Sequence, residues 1–277
     1  MRRLFISADI EGCAGVASQD ALGPDRFEWP AARHWMTNEV ASAARVALAA
    51  GYDEVIVADG HGNAQNILPD GLPDRVRLVR SWPRPLLQMQ GVEADGVEAC
   101  FFLGYHNGSM GTGGGLAHTY SGMTLRDVRL NGVSVSEGYL NAALAGEFGR
   151  PVVLVSGDAE TAADAKRYAP RAVTCVVKDS IGNRAASAVT PNESVRMIGR
   201  AAEAALGLEW AAPFVVPAPH VLEVDLTARV TAELLSYLPG IELAGPFTVR
   251  ATFDSVAAIM RFLAFAILYS PSGVIKL

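Results

Sequence analysis

Short apolar runs alternate with longer amphipathic ones through most of this chain, and few architectures satisfy that pattern. Runs at residues 4–8, 54–58, 76–79, 99–103, 152–155 and 173–177 are too short for helices and read as buried strands. Between the first two lies the Ala-rich segment 31–50, which puts Val40, Ala44, Ala47 and Leu48 on one face and stops at Gly51. Segments 141–148 and 161–168 also read as helices, followed by Gly149 and Pro170. The expected fold is α/β: a mainly parallel sheet flanked by helices.

The texture changes near Pro191. A helix over 194–206 leads through the Pro-rich stretch 212–219 into mixed strands and helices that end near Tyr269. This predicts an α/β domain over 1–190 and a smaller C-terminal α+β lobe over 191–277. Segment 128–135 alternates around Asn131-Gly132, a strong hairpin signal. Segment 256–269 is apolar but interrupted by Arg261, and it is shorter than the roughly 20 residues that span a bilayer. It reads as a buried helix. From Ser270 onward, Pro271 and Gly273 predict a loosely held tail.

Composition narrows the partners. Half of the 277 residues are hydrophobic and the formal charge is −6, with no basic run to form a nucleic-acid groove or to meet an anionic membrane. Cys13, Cys100 and Cys175 are odd in number and widely spaced, which fits neither a disulfide framework nor a cysteine zinc site. Met1-Arg2-Arg3 runs straight into the first strand, too short for a signal peptide. A soluble, cytoplasmic protein is expected.

Chemistry collects where the apolar strands end. The first ends in Ser7-Ala8-Asp9-Ile10-Glu11-Gly12, the second in Ala58-Asp59-Gly60-His61-Gly62, and another in Gly104-Tyr105-His106-Asn107-Gly108. In an open α/β sheet such ends line the ligand crevice. Glu137 joins them between the hairpin and the next helix. Asp9, Glu11, His61, His106 and Glu137 are too many ligands for one open tetrahedral zinc, but suit two metals that share a carboxylate. On a continuing strand Asp9 and Glu11 would point the same way. Zinc is the first choice for this N/O set, and cobalt or manganese would also fit.

Each residue has a plainer reading as well. An Asp at a strand end can simply cap a turn, a His beside Gly can be a satisfied loop residue, and Glu137 can serve a helix dipole. His118 follows the glycine run 111–115, which lacks the Lys-Ser/Thr of a phosphate loop. It reads better as an acid/base group on a hinged loop that shapes the substrate pocket. His34 and His220 read as structural, Cys13 as packing, and Asp158 as a helix cap.

Together these motifs resemble the zinc-dependent D-aminopeptidases. The resemblance rests on Ser7-x-Asp9-x-Glu11-Gly12, Asp59-x-His61, Gly104-Tyr105-His106, His118 and Ser136-Glu137-Gly138 in that order, with 155–158 and 177–178 as further landmarks, and it runs to about residue 265. It implies two zinc ions bound by Asp9, Glu11, His61, His106 and Glu137, with Asp9 bridging and His118 catalytic. It also implies a short peptide substrate with a D-residue first, and a homodecameric, self-compartmentalising assembly. Two rivals remain from the residues themselves: a metal-dependent amidohydrolase on a non-peptide amide, or a metal-stabilised binding protein without turnover. A pure binder has no need of His118.

Overall fold

All six apolar runs are strands in the computed structural model, which describes residues 1–272. In chain order the strands are β1 (Arg3–Ala8), β2 (Glu54–Asp59), β3 (Val76–Val79), β4 (Val97–Tyr105), β5 (Leu125–Leu130), β6 (Val133–Ser134), β7 (Val152–Asp158), β8 (Val173–Gly182), β9 (Ala185–Ala188), β10 (His220–Leu226), β11 (Glu242–Gly245) and β12 (Thr248–Phe253). The helices are α1 (Trp29–Ala49), α2 (Glu137–Glu147), α3 (Ala159–Ala165), α4 (Pro191–Gly207), α5 (Arg229–Leu235) and α6 (Val256–Leu268).

The larger sheet has the order β3-β2-β1-β4-β7-β8-β9 and is parallel except for the β8–β9 hairpin. Its winding reverses between β1 and β4, which opens a crevice at their carboxyl ends. The strands bury both faces, so alternate residues enter different cores. Leu4 and Ile6 pack with Met36 and Val40 of α1 and Ile198 of α4. Phe5 faces the other way, into a core with Phe102, Leu140, Leu222 and Met260. That second core is closed by the antiparallel sheet β11-β12-β10-β5-β6, with α2 and α6 packed against each other between the layers.

The expected division at residue 190 does not match the division between the sheets. The hairpin at 125–134 belongs to the small sheet, and α4 packs on α1 beside the large one. The composition change at Pro191 marks where half-exposed strands take over, whereas the hairpin already carries that one-faced pattern through Asp127 and Arg129. Helix α4 buries Ile198, Ala202 and Ala205, a stripe that α1 covers. Helix 256–268 forms as expected, and no described helix is long and apolar enough to cross a membrane. The expected tail lies mostly outside the described residues. Within them, the Ser270 and Ser272 hydroxyls are hydrogen-bonded at 2.9 Å.

Candidate metal centre

The carboxyl ends of β1 and β4 are pressed together by two glycines. A Cβ on Gly12 would lie 2.0 Å from the Tyr105 carbonyl oxygen, and one on Gly104, at φ +68°, would lie 2.2 Å from that of Asp9. β1 stops at Ala8, so Asp9 and Glu11 do not extend along a strand as expected. They sit on a tight turn instead, and the turn still brings both carboxylates to one imidazole. His61 Nδ1 is 3.4 Å from Asp9 Oδ1 and 2.8 Å from Glu11 Oε2. The other Asp9 oxygen faces His106 Nε2 at 3.6 Å, and that nitrogen is 3.3 Å from Glu137 Oε1. Asp9 therefore stands between two groups of side chains.

The imidazole tautomers follow from the backbone. His61 Nε2 lies 2.8 Å from the Leu22 carbonyl, His106 Nδ1 2.9 Å from that of Asn107, and His118 Nδ1 2.9 Å from that of Leu116. A carbonyl only accepts, so each of these nitrogens carries the proton. The opposite nitrogen of a neutral ring then points a lone pair at carboxylate oxygens. Accordingly, Glu11 Oε2 and His106 Nε2 are buried without a hydrogen-bond partner. Such an arrangement is tolerable only if protons or cations sit between the lone pairs.

Electrostatics agree. Burial alone would raise the Asp9 pKa, but the facing His106 and His61 hold it well below the usual carboxylate range. Burial likewise opposes charge on His61 and His106, yet Glu11, Glu137 and Asp9 push both well above the ordinary histidine value. In the metal-free cluster the imidazoles thus keep protons that divalent cations would replace. Three ligand sets have donor atoms within 4.8 Å of one another: Asp9, Glu11 and His61; Asp9, His106 and Glu137; and Glu11, His106 and His118. Mixed carboxylate and imidazole donors, buried and oriented by carbonyls, fit a dinuclear zinc-type centre.

All six residues singled out in the sequence are brought together here. His118 stacks on His106, with ring centroids 4.1 Å apart, and its Nε2 lies 3.7 Å from Glu137 Oε1. Its segment is tied down rather than hinged: its amide donates to the Asn107 carbonyl, and its neighbours Leu116 and Tyr120 hold φ of 56° and 57°. The glycine run 111–115 was expected to shape the substrate pocket. It instead borders a different hollow, with Asn107, Ser136 and Arg167, because Asp158 holds the Gly115 amide while also capping α3 through the Thr161 amide. The cleft of about 220 Å³ over the cluster is lined by Asp9, His61, His118 and Glu137 and walled by Trp82, Met123 and Leu268. His34 lies exposed on α1 and His220 buried on β10, outside the cluster. Burial pushes the Cys13 thiol up, as a packing role requires.

Sequence reasoning gave no role to the residues that hold these side chains in place. Lys178, buried on β8, donates its ammonium to the carbonyls of Glu11, Val16 and Cys13, and so fixes the turn that carries Glu11. Asp59 accepts from the amides of Asn66 and Ile67, shaping the loop that presents His61. Only its spacing from His61 hinted at this. Gln88 donates to Glu137 from a short 3-10 helix, Leu87–Met89, with no motif of its own.

Comparison with known proteins decides the family. The sequence profile of the M55 peptidases, described as D-aminopeptidase, matches residues 1–265. This chain belongs to the M55 peptidase family. A D-aminopeptidase of Bacillus subtilis (strain 168) is 28% identical over 250 residues, which cover 90% of each chain. Among solved structures, the Zn-dependent D-aminopeptidase DppA from Bacillus subtilis, described as a self-compartmentalizing protease, superposes with a TM-score of 0.90. It is 26% identical, over 95% of this chain and 96% of the other. The M55 fold is thus the α/β arrangement described above, and this member is a metallo-hydrolase with aminopeptidase activity.

Proposed function

We propose that the protein is a dizinc aminopeptidase that removes an N-terminal D-amino acid, of the D-alanine type, from short peptides. The observation that carries this is the division of Asp9 between two ligand sets, one completed by Glu11 and His61 and the other by His106 and Glu137. In this reading Asp9 bridges, and cobalt or manganese could replace zinc. When bound, the cations supply Lewis-acid activation of water and of the scissile carbonyl. His118, on the open side of the cluster, would take up on Nε2 the proton that the attacking water gives up and pass it to the departing amine, or, once protonated there, steady the developing oxyanion. Its Nδ1–H bond to Leu116 keeps that nitrogen aimed inward.

The cleft's far wall of Trp82, Met123 and Leu268 has no charge, which suits a small uncharged first side chain. The B. subtilis relative's description extends to an assembly, and we read this chain as a homo-oligomer too, a decamer in the full reading. Val230, Leu234, Tyr237 and Leu243, exposed on α5, the turn after it and β11, would supply part of the contact. Three buried free thiols suit the cytoplasm.

A substrate panel tests the reaction. D-alanyl p-nitroanilide and D-Ala-D-Ala should be hydrolysed by the zinc-loaded enzyme, and their L-counterparts far more slowly. Equal rates on simple non-peptide amides, or no release from any aminoacyl compound, would contradict it. Light scattering giving a mass near 29 kDa would contradict the assembly.

A further inference from the structure

We propose that Ser7, Gln88, Tyr105, Tyr120 and Asn141 form a ring of neutral hydrogen-bonding groups that positions Glu137 for one of the two cations and leaves the other untouched. The inference rests on the reading of Glu137 as a metal ligand.

The ring can be followed bond by bond. Gln88 Nε2 donates to Glu137 Oε2 at 2.8 Å, and the Tyr120 amide donates to Glu137 Oε1 at 2.6 Å. From Tyr120 the phenol donates to Asn141 Oδ1 at 2.9 Å, and Asn141 Nδ2 donates to the Tyr105 hydroxyl at 2.9 Å. Tyr105 donates to Ser7 Oγ at 2.7 Å, and Ser7 Oγ donates to the Gln88 carbonyl at 3.1 Å. The path closes on the residue where it began. Its side-chain bonds all run in one direction, so each polarises the next. Ser7, Gln88, Tyr105 and Asn141 are buried. None carries a charge, so the ring adds no net charge to the cluster.

Its placement is what gives it a function. Ser7 lies two residues before Asp9 on the β1 side, Tyr105 immediately before His106, and Tyr120 two residues after His118. Asn141 lies one helical turn beyond Glu137 on α2. The ring therefore draws one member from each segment that delivers Asp9, His106, His118 and Glu137. It also occupies each Glu137 oxygen with one donor, and a carboxylate oxygen has a second lone pair to offer. The Glu11 and His61 side of the cluster is held by separate devices, the Lys178 ammonium and the Leu22 carbonyl. Breaking the ring should loosen one cation position while sparing the other. A part that merely stabilised the fold would affect both alike.

The test is a zinc titration of metal-stripped protein by calorimetry, with unfolding midpoints recorded in parallel. Tyr105→Phe and Ser7→Ala each delete a single oxygen from the ring and keep the packing. One of the two binding steps should weaken about 10–100-fold in each variant while the other keeps its parent affinity. The double variant should lose no more than the worse single one, because the ring is already open. Glu137→Ala should abolish the same step. If Glu137→Ala does so but Tyr105→Phe and Ser7→Ala leave both steps unchanged, the ring is not a positioning device and the reading of the site survives. Equal weakening of both steps, or losses that add in the double variant, also overturns the ring. If Glu137→Ala retains both steps, the ligand reading fails and the inference fails with it.

Discussion

Two regions of this molecule gather three carboxylates each, and they compensate them in opposite ways. On the small sheet, Asp127, Glu223 and Asp225 lie across β5 and β10 from one another. Arg129 reaches all three, at 2.7, 3.3 and 2.9 Å, while Arg250 reaches Glu223 at 2.6 Å. Asp127 and Asp225 are directly opposed in register, and the shared guanidinium removes their repulsion. At the crevice, Asp9, Glu11 and Glu137 are 3%, 2% and 3% exposed and meet no guanidinium. Their facing partners are imidazoles and neutral donors. A structural cluster brings a permanent counter-charge, whereas a cluster of buried anions faced only by imidazoles can exchange their protons for cations. That difference, more than the residue types, separates site from scaffold.

The sharpest way to break the comparison is Asp9→Ala. Removing the shared carboxylate should deplete both cations and abolish measurable turnover, read by metal analysis and peptide hydrolysis. Retention of both metals would move the bridge elsewhere. Next in size is His118→Ala, which should keep its metals and lose about 10²–10⁴ in kcat. Loss of a metal would instead make His118 a ligand, as its grouping with Glu11 and His106 allows.

Acid gives the third effect, with opposite chemistry in the two regions. His61 and His106 have pKa values raised by facing carboxylates, so below those values the metal-free site holds protons. Cations must displace them. Zinc affinity should therefore fall as pH drops, by about tenfold per pH unit for each proton displaced, and loading near neutrality should release about two protons. Calorimetry in buffers of different ionisation enthalpy counts them. Zinc uptake without proton release would show that the imidazoles are already neutral. On the small sheet, side-chain bonds from Arg129 and Arg250 lower the pKa values of Asp225 and Glu223. A depressed carboxylate contributes stability above its unfolded value, near 4, and loses it as pH falls further. The smallest effect follows from that. Arg129→Ala should cost about 1 kcal/mol, because the guanidinium is partly exposed, and should leave hydrolysis unchanged. A urea titration at neutral pH measures the cost.

Much of this was legible in the sequence because strand ends are legible. The apolar runs located β1, β2 and β4, and the glycine-flanked turns after them located Asp9, His61 and His106. What could not be read was spatial. The hairpin around Asn131-Gly132 gave no sign that it would leave its neighbours and pair with β10, since strand pairing depends on partners about ninety residues away. Lys178 stood out only as a landmark of the resemblance, and its role shows only where its three carbonyl partners come together across the fold. The glycine run was misjudged for a similar reason. Its freedom is spent on a close approach to Asn107 and Glu160, not on lining the cleft. Backbone carbonyls that fix an imidazole tautomer leave no mark in a sequence at all.

The central claim is that the imidazole-faced cluster at the crevice is a dinuclear metal centre. Elemental analysis of protein purified without chelator, repeated after reconstitution with zinc, tests it most directly. About two divalent ions per chain are expected, falling together in Asp9→Ala and unchanged in Arg129→Ala. One ion or none after reconstitution would contradict the account, and would leave the buried carboxylates compensated by protons alone.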